Sequence, residues 1–237
     1  PLFGFYKHKN RFASLGMVLF LGFIISAHFD SGFSEENAKP SSLLYVLNVD
    51  SQSAKWATYD HYLNDWTAQY LGGDKHAPQK GEFKTLRSKY ASGFTYISKA
   101  PLKDILGPKV EKLLDTLIYE ERMLKIKITP QRLVNRLDIF VNDVEIKSAS
   151  VNSMSLSENY LENRKGNRLI THYISDNDPT TLLLVIPKDY PLQLSLCEAS
   201  NDLLKNPLFT VPERPANSIP MPFVLNDAIM IIQTISF

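Results

Sequence analysis

The sequence predicts a mainly β protein: a two-sheet antiparallel β-sandwich that follows one transmembrane helix and a short amphipathic helix. Three observations predict it. An apolar run of membrane-spanning length lies near the N-terminus, short apolar or alternating segments recur through the second half of the chain, and turn residues separate these segments. About 200 residues follow the apolar run, which is enough for one sizeable core or at most two small ones.

The apolar run from Phe12 to Phe29 predicts a transmembrane helix, because roughly 18 residues make about the shortest helix that crosses a hydrocarbon core of ~30 Å. Basic residues precede the run and acidic residues follow it, so the positive-inside bias places the N-terminal flank in the cytoplasm. We therefore expect a cytoplasmic loop or the end of a preceding span at 1–11, the transmembrane helix at 12–29, a tether at 30–42 and an extracytoplasmic (periplasmic or lumenal) domain at 43–237.

A cleaved secretory signal peptide is the alternative interpretation of this run, since basic residues, an apolar core and the small residues Ser26 and Ala27 also fit one. Two features favour the anchor. The run is longer than the usual apolar core of ~7–15 residues, and the chain begins with Pro1 rather than Met. We expect a fragment of a longer protein, in which the residues from Leu2 to Tyr6 end an earlier apolar segment.

Composition excludes several classes of function. The net charge is +1 and the charges of both signs are interspersed, so no surface field favours nucleic acid as a partner. The single cysteine, Cys197, excludes an internal disulfide and a multi-cysteine zinc site. The sequence thus predicts a domain that is stabilised by packing, with the lipid bilayer as a partner and no nucleic acid.

The first elements of the domain have distinct patterns. The segment Leu43 to Val49 is apolar and Lys55 to Tyr59 alternates, which together predict a hairpin. Asp60 is then placed to cap a short amphipathic helix that ends at Gly72 and Gly73. Its apolar face contains Leu63, Trp66 and Tyr70.

A long surface excursion is predicted between Gly73 and Ala100, with one brief strand from Phe94 to Ile97. One later segment supports two interpretations, because the apolar residues of Lys109 to Arg122 recur at helical spacing. Beyond it, apolar segments separated by turn residues predict the strands of the sandwich. These are Met123 to Thr129, Arg136 to Val141, Val144 to Val151, Leu169 to Ile174, Thr181 to Ile186, Leu192 to Cys197 and Ile229 to Phe237.

No compact catalytic or metal motif is visible. The histidines are too far apart in the sequence for two of them to share one turn of a helix, as metallopeptidase ligands do; they are His8, His28, His61, His76 and His172. The pair Glu120-Glu121 is predicted to be a solvated turn, and Cys197 a buried apolar residue. Asp227 with Asn226, and Asp60 with His61, are candidates for parts of dispersed sites, but the sequence alone does not assemble them. We therefore predict no catalytic, cofactor-binding or metal-binding residue.

Several segments occur in an order that carries a family resemblance. They are SLLYVLNVD at 42–50, KWATYD at 55–60, LNDWT at 63–67, Arg214-Pro215, Ile219-Pro220, Pro222 and Asn226-Asp227. In this order they resemble the C-terminal extracytoplasmic region of membrane-anchored zinc aminopeptidases. These are the peptidases of family M-twenty-eight, of the vacuolar membrane protease and endoplasmic reticulum metallopeptidase type. The similarity extends over about Pro40 to Phe237.

The resemblance implies a fold and a limited function. In that family a peptidase domain precedes several membrane spans and a β-rich domain, and Lys109 to Thr129 is similar to a strand-turn-strand segment rather than a helix. Ala228 and Ile229 depart from the family, which tends to place threonines there. The paired zinc ions and the catalytic glutamate belong to the upstream peptidase domain. The chain is therefore expected to be a non-catalytic accessory module that holds no zinc itself and whose partner is the peptidase domain of the same polypeptide.

Two other classes of function stay open. A free-standing membrane-anchored or secreted binding module for glycan or peptide requires an exposed aromatic cluster, for which the candidates are Tyr90, Phe94 and Tyr96. An independent enzyme with a dispersed site is the third class.

Overall fold

A computed structural model describes residues 6–79, 82–83, 93–164 and 166–237. The prediction of a mainly β chain with an N-terminal apolar helix is confirmed. The helices are α1 (Lys9–Asp30), α2 (Asp65–Leu71) and α3 (Glu158–Glu162). The strands are β1 (Lys39–Ser41), β2 (Leu44–Asn48), β3 (Ser53–Thr58), β4 (Tyr96–Lys99), β5 (Lys109–Ile118), β6 (Glu121–Thr129), β7 (Arg136–Val141), β8 (Ser148–Val151), β9 (Met154–Ser155), β10 (Arg168–Tyr173), β11 (Thr180–Pro187), β12 (Gln193–Ser200), β13 (Ser218–Pro220) and β14 (Ala228–Ser236).

The chain divides into two compact units. One contains α1, the segment that leads to Lys39, and Pro215–Ile219; the other contains Pro40–Arg214 and Pro220–Phe237. Helix α1 has 22 residues, so at 1.5 Å per residue it is about 33 Å long. None of its residues is buried. Within the described part of the chain, it is the one helix that is long and apolar enough to span a membrane.

The second unit contains a seven-stranded and a five-stranded sheet. The first has the strand order β10-β7-β12-β14-β2-β3-β4, and the second has the order β5-β6-β11-β8-β9. The two short strands β1 and β13 make a separate two-stranded sheet. Neighbouring strands of the two large sheets are antiparallel with one exception, since β14 runs parallel to β2. The prediction of wholly antiparallel pairing is therefore wrong for this pair, because the long connection after β12 lets β14 enter beside β2 in the same direction.

Both large sheets contribute to one buried apolar cluster. Alternate residues of the contributing strands point into it, as expected for strands with one face on this cluster. The cluster includes Leu124 and Ile126 of β6, Leu182 and Leu184 of β11, Leu137 and Ile139 of β7, and Leu194 and Leu196 of β12. We call the face of the seven-stranded sheet that carries Leu137 and Leu196 the inner face.

Two further clusters complete the core. On the inner face near β2 and β3, Tyr45, Trp56 and Trp66 pack with the leucines and isoleucines around α2. On the opposite, outer face, Phe140 and Met230 belong to a third cluster. The seven-stranded sheet is thus covered on both faces, which explains why β2 and β14 have nearly continuous apolar sequences.

Most predicted strands are confirmed, but three details differ. Strand β8 begins at Ser148 rather than Val144, because Val144 and Ile146 are buried in the core without joining the ladder. The helical interpretation of Lys109 to Arg122 is wrong and the strand interpretation is confirmed. An extra residue in β5 between Lys112 and Leu114 shifts the alternation by one position, so a bulged strand has apolar residues at helical spacing.

The third difference is the cap of α2. Asn64, not Asp60, is the N-cap residue, and its side chain accepts a hydrogen bond of 2.8 Å from the backbone N–H of Thr67. The Thr67 hydroxyl in turn accepts from the backbone N–H of Asn64, which completes a capping box. Leu63 consequently precedes the helix, and Gly72 ends it as predicted.

Candidate functional site

The residue types that carry catalysis or metal binding are dispersed. Among the described residues, no group of three or more His, Cys, Asp or Glu side chains could hold a metal ion. Glu120 forms an ion pair of 2.7 Å with Lys188, and Glu121 one of 2.9 Å with Lys147. The acidic pair is therefore part of an ion-paired surface turn, as the sequence predicts.

Cys197 lies on the outer face of β12, buried to 1% exposure, directly opposite Asp138 of β7. Arg136 pairs with the Asp138 carboxylate at 2.8 Å, and Arg168 lies 3.7 Å from it. The Thr171 hydroxyl also donates to this carboxylate. The negative charge of Asp138 is thus balanced by Arg136 and Arg168. The Cys197 thiol is enclosed in the apolar cluster of the outer face. This arrangement gives a substrate no access to the thiol and suits a structural role.

Residues from distant parts of the chain meet around Arg214. The Arg214 guanidinium lies 2.6 Å from the carboxylate of Asp227 and 4.7 Å from the ring centre of Trp66. It also contacts the Ser41 hydroxyl. We call Ser41, Trp66, Arg214 and Asp227 the arginine cluster. The Trp66 indole N–H donates to the carbonyl of Pro212 at 3.1 Å, which fixes the ring beneath the guanidinium.

Burial and strain both mark Asp227. Burial raises the pKa of its carboxyl, although the charge and hydrogen bond of Arg214 lower it. Its backbone has a positive φ of 50°, a conformation that Asn and Asp adopt more readily than most residues. Next to it, the Asn226 side chain donates to the carbonyls of Met221 and Val224 at 2.7 and 3.0 Å, which closes the preceding loop.

A second buried network joins the start of β2 to the end of β3. One oxygen of the Asp60 carboxylate accepts from the backbone N–H and the hydroxyl of Ser42, at 2.7 and 2.8 Å. The Thr58 hydroxyl donates to the Ser42 carbonyl at 2.7 Å. His61 is exposed. Asp60 and His61 therefore do not form a site together, and the role of Asp60 is to hold the chain where the domain begins.

The structure adds one titratable group that the sequence does not predict. Glu198 of β12 is 0% exposed and lies on the inner face, between Leu137 and Ile231 of the neighbouring strands. Neither of its carboxylate oxygens has a hydrogen-bond partner. Burial raises the pKa of Glu198 to about 7, although the nearby Arg132 guanidinium lowers it. The signal in the sequence is a glutamate at a position where alternation with Leu194 and Leu196 requires an apolar residue.

Arg132 is the charged neighbour of Glu198. Its guanidinium donates to the backbone carbonyls of Glu198 and Ile229, at 3.2 and 3.3 Å, and contacts the Ser200 hydroxyl. Burial lowers the pKa of Arg132, while the charges of Glu198 and Asp202 raise it. Because Arg132 binds mainly backbone oxygens, the Glu198 carboxyl has a cation nearby but no hydrogen-bond donor.

One cavity of about 410 Å³ lies beside the segment Leu102–Gly107. Its walls include Leu47, Val49 and Leu106, with Lys103 and Asp104 as the charged groups. A Cβ atom at Gly107 would come within 2.6 Å of the side-chain oxygen of Gln233, so a larger residue there would require the flexible Gln233 side chain to move. The cavity contains neither Glu198 nor Asp227, and its few polar groups do not form a catalytic arrangement.

The aromatic residues proposed for a binding face do not form a single surface. Phe94 is buried on the outer face of the sheet with Tyr59, at 4.8 Å between ring centres. Tyr96 packs on the inner face. Tyr90 lies outside the described residues.

No family model matches this chain, and no curated protein matches its sequence.

Proposed function

We propose that the chain is the C-terminal membrane span and extracytoplasmic accessory domain of a larger membrane-bound zinc metallopeptidase of the aminopeptidase type. The observation that carries the proposal is the convergence around Arg214. Trp66, Arg214 and Asp227 belong to three separate resembling segments, yet they meet in one largely buried cluster. Convergence of this kind supports a shared structural signature, since segments that matched by chance need not meet in space.

The arrangement of the sheets supports the fold that the resemblance implies. Strands of the seven-stranded sheet and of the five-stranded sheet bury their side chains in one cluster, which includes Leu137, Leu196 and Ile126. We infer a β-sandwich in which these two sheets are the layers. The peptidase family's β-rich C-terminal region would have the same architecture.

In this proposal the zinc ions and the catalytic glutamate belong to the peptidase domain upstream. Three well-buried acidic groups of this chain have structural surroundings instead: Asp60 accepts hydrogen bonds from Ser42, Asp138 pairs with Arg136, and Glu198 is enclosed in the core. The partly buried Asp227 pairs with Arg214. The domain accordingly acts by non-covalent contact. It packs against the peptidase domain, shapes access of substrate or binds a partner.

The proposal predicts that the chain alone has no peptidase activity. We expect the full chain of 237 residues, purified in detergent and supplied with zinc, to release no product from fluorogenic aminoacyl amides above the buffer rate. A chelator-treated sample is the control. Zinc-dependent turnover that stays at constant specific activity through purification, and that the chelator removes, would contradict the accessory assignment.

A second prediction concerns the side of the membrane. We propose that α1 crosses the bilayer with the β domain outside, because basic residues precede the helix. A Ser34→Cys variant should react with a membrane-impermeant maleimide in intact cells, and native Cys197 is buried and gives little background. A matched Lys7→Cys variant should react only after permeabilisation. Labelling at Lys7→Cys but not at Ser34→Cys in intact cells would reverse the topology.

A further inference from the structure

Strand β5 is a long edge strand. It has 10 residues and forms one end of the five-stranded sheet, so its outer side has no neighbour among the described strands. An edge strand of this kind leaves a row of backbone N–H and C=O groups available to pair with another strand. Its apolar side chains are also exposed, with Leu113 at 52% and Leu117 at 62%. Edge and side chains together form a surface suited to another β-strand.

The bulge in β5 determines which residues share a face. Lys112 pairs with Ile126 and Asp115 pairs with Leu124, and both partners point into the inter-sheet core. Lys112 and Asp115 therefore lie on the same face of β5 although they are three positions apart, and they form an ion pair of 3.0 Å. Val110 and Leu117 lie on this face as well, by their pairing with Ile128 and Arg122.

We propose that β5 pairs with β5 of a second copy of this chain, antiparallel and around a two-fold axis between Leu113 and Leu114. In this register Lys112 of each copy faces Asp115 of the other, and Val110 faces Leu117. Side chains on one face of β5 meet side chains on the same face of the second strand, as a two-fold axis perpendicular to the sheet requires. The two five-stranded sheets then join into one continuous sheet.

Charge complementarity favours this register, because Asp115, which pairs with Arg122 and Lys112 of its own chain at 2.8 and 3.0 Å, also faces Lys112 of the second copy. A shift of two residues in one direction places Asp115 against Val110, and a shift in the other places Lys112 against Leu117. Either shift leaves a charged residue opposite an apolar one. In the proposed register, charged residues face charged residues and apolar residues face apolar residues on both sides of the two-fold axis. Opposite charges that face each other across strands stabilise the pairing, and like charges destabilise it. The inference does not depend on the proposed function, since it uses only β5 and its neighbours.

Cross-linking of the full chain in detergent micelles tests the contact. The variant Leu113→Cys places a thiol beside the two-fold axis, and a short bismaleimide should join two copies. Met154→Cys is the matched control, because Met154 is 77% exposed on β9, at the opposite edge of the same sheet. We expect dimers from Leu113→Cys and none from Met154→Cys. A monomeric wild-type chain, or equal cross-linking at both edges, would overturn the proposal.

Charge reversal tests the register. Lys112→Glu places the introduced carboxylate of each copy opposite Asp115 of the other, at two symmetric positions, and we expect the dimer association constant to fall about tenfold in sedimentation velocity. Lys109→Glu makes the same charge change on the same strand, at a position that faces Ile118 and no charge, so it should change the constant by less than about twofold. Equal weakening by both variants would overturn the register.

Discussion

We expect the free energy of unfolding of the variant Arg214→Met to be about 3 kcal/mol lower than that of the wild type. Methionine keeps much of the side-chain volume but leaves the Asp227 carboxylate in its partly buried position without the cation that lies 2.6 Å away. It also removes the cation–π contact with Trp66. Guanidinium titration of the full chain in detergent measures the effect, with tryptophan fluorescence as the signal, because Trp56 and Trp66 are both buried.

A second substitution separates the ion pair from simple loss of packing. In the double variant Arg214→Met/Asp227→Asn, neither residue of the pair is charged, and asparagine tolerates the positive φ of position 227. We expect the double variant to recover at least half of the lost free energy of unfolding. A double variant no more stable than Arg214→Met would show that the pair itself contributes little and that the other contacts of the guanidinium dominate.

The second large effect is the dependence of folding stability on pH that Glu198 causes. Its pKa is about 7 in the folded chain, against an ordinary value of 4.5 that applies when the chain is unfolded. Between these two values the folded state binds more protons than the unfolded state, so stability falls as the pH rises through this window. The protonated Glu198 carboxyl thus contributes about 3 kcal/mol to the free energy of unfolding. This contribution is fully present below pH ~4.5 and is lost above pH ~7.

Glu198→Gln should remove the part of the pH dependence of stability that Glu198 causes, because glutamine does not titrate. Other groups contribute to the total pH dependence: the raised pKa of Asp227 acts in the same direction, and the lowered pKa of Asp115, caused by hydrogen bonds from Arg122 and Lys112, acts in the opposite one. The quantity to measure is therefore the difference in free energy of unfolding between the variant and the wild type, at pH 5 and again at pH 8. Glu120→Gln, at an exposed turn, is the control. A difference that is the same at both pH values would show that Glu198 does not change its charge in this range.

Much of the fold follows from local patterns in the sequence. Strand β7 occupies the predicted Arg136–Val141, and α1 contains the whole of the predicted apolar run. In both cases one strong pattern, period two or continuous apolarity, extends over all or nearly all of the element. Strand β5 is harder to predict, because one inserted residue at the bulge converts a period of two into a spacing that also fits a helix.

The clusters cannot be predicted from the sequence, because their members are brought together by tertiary structure. Arg214 and Trp66 are far apart in the chain, and only its return between β12 and β14 places one over the other. Asp60 fits a helix cap by residue type, yet its carboxylate is occupied by Ser42 across the strand pair. Glu198 escapes prediction because the predicted strand ends at Cys197, one residue before it, whereas β12 continues to Ser200.

The reading frame upstream of Pro1 in the source DNA tests the central claim most directly. The account predicts a continuous frame that encodes further apolar spans and, before them, a zinc peptidase domain with its histidine, aspartate and glutamate ligands. A start codon within a few residues of Pro1 would contradict it. In that case the chain would be a complete single-span or secreted protein, and a binding module would replace the accessory domain as its proposed function.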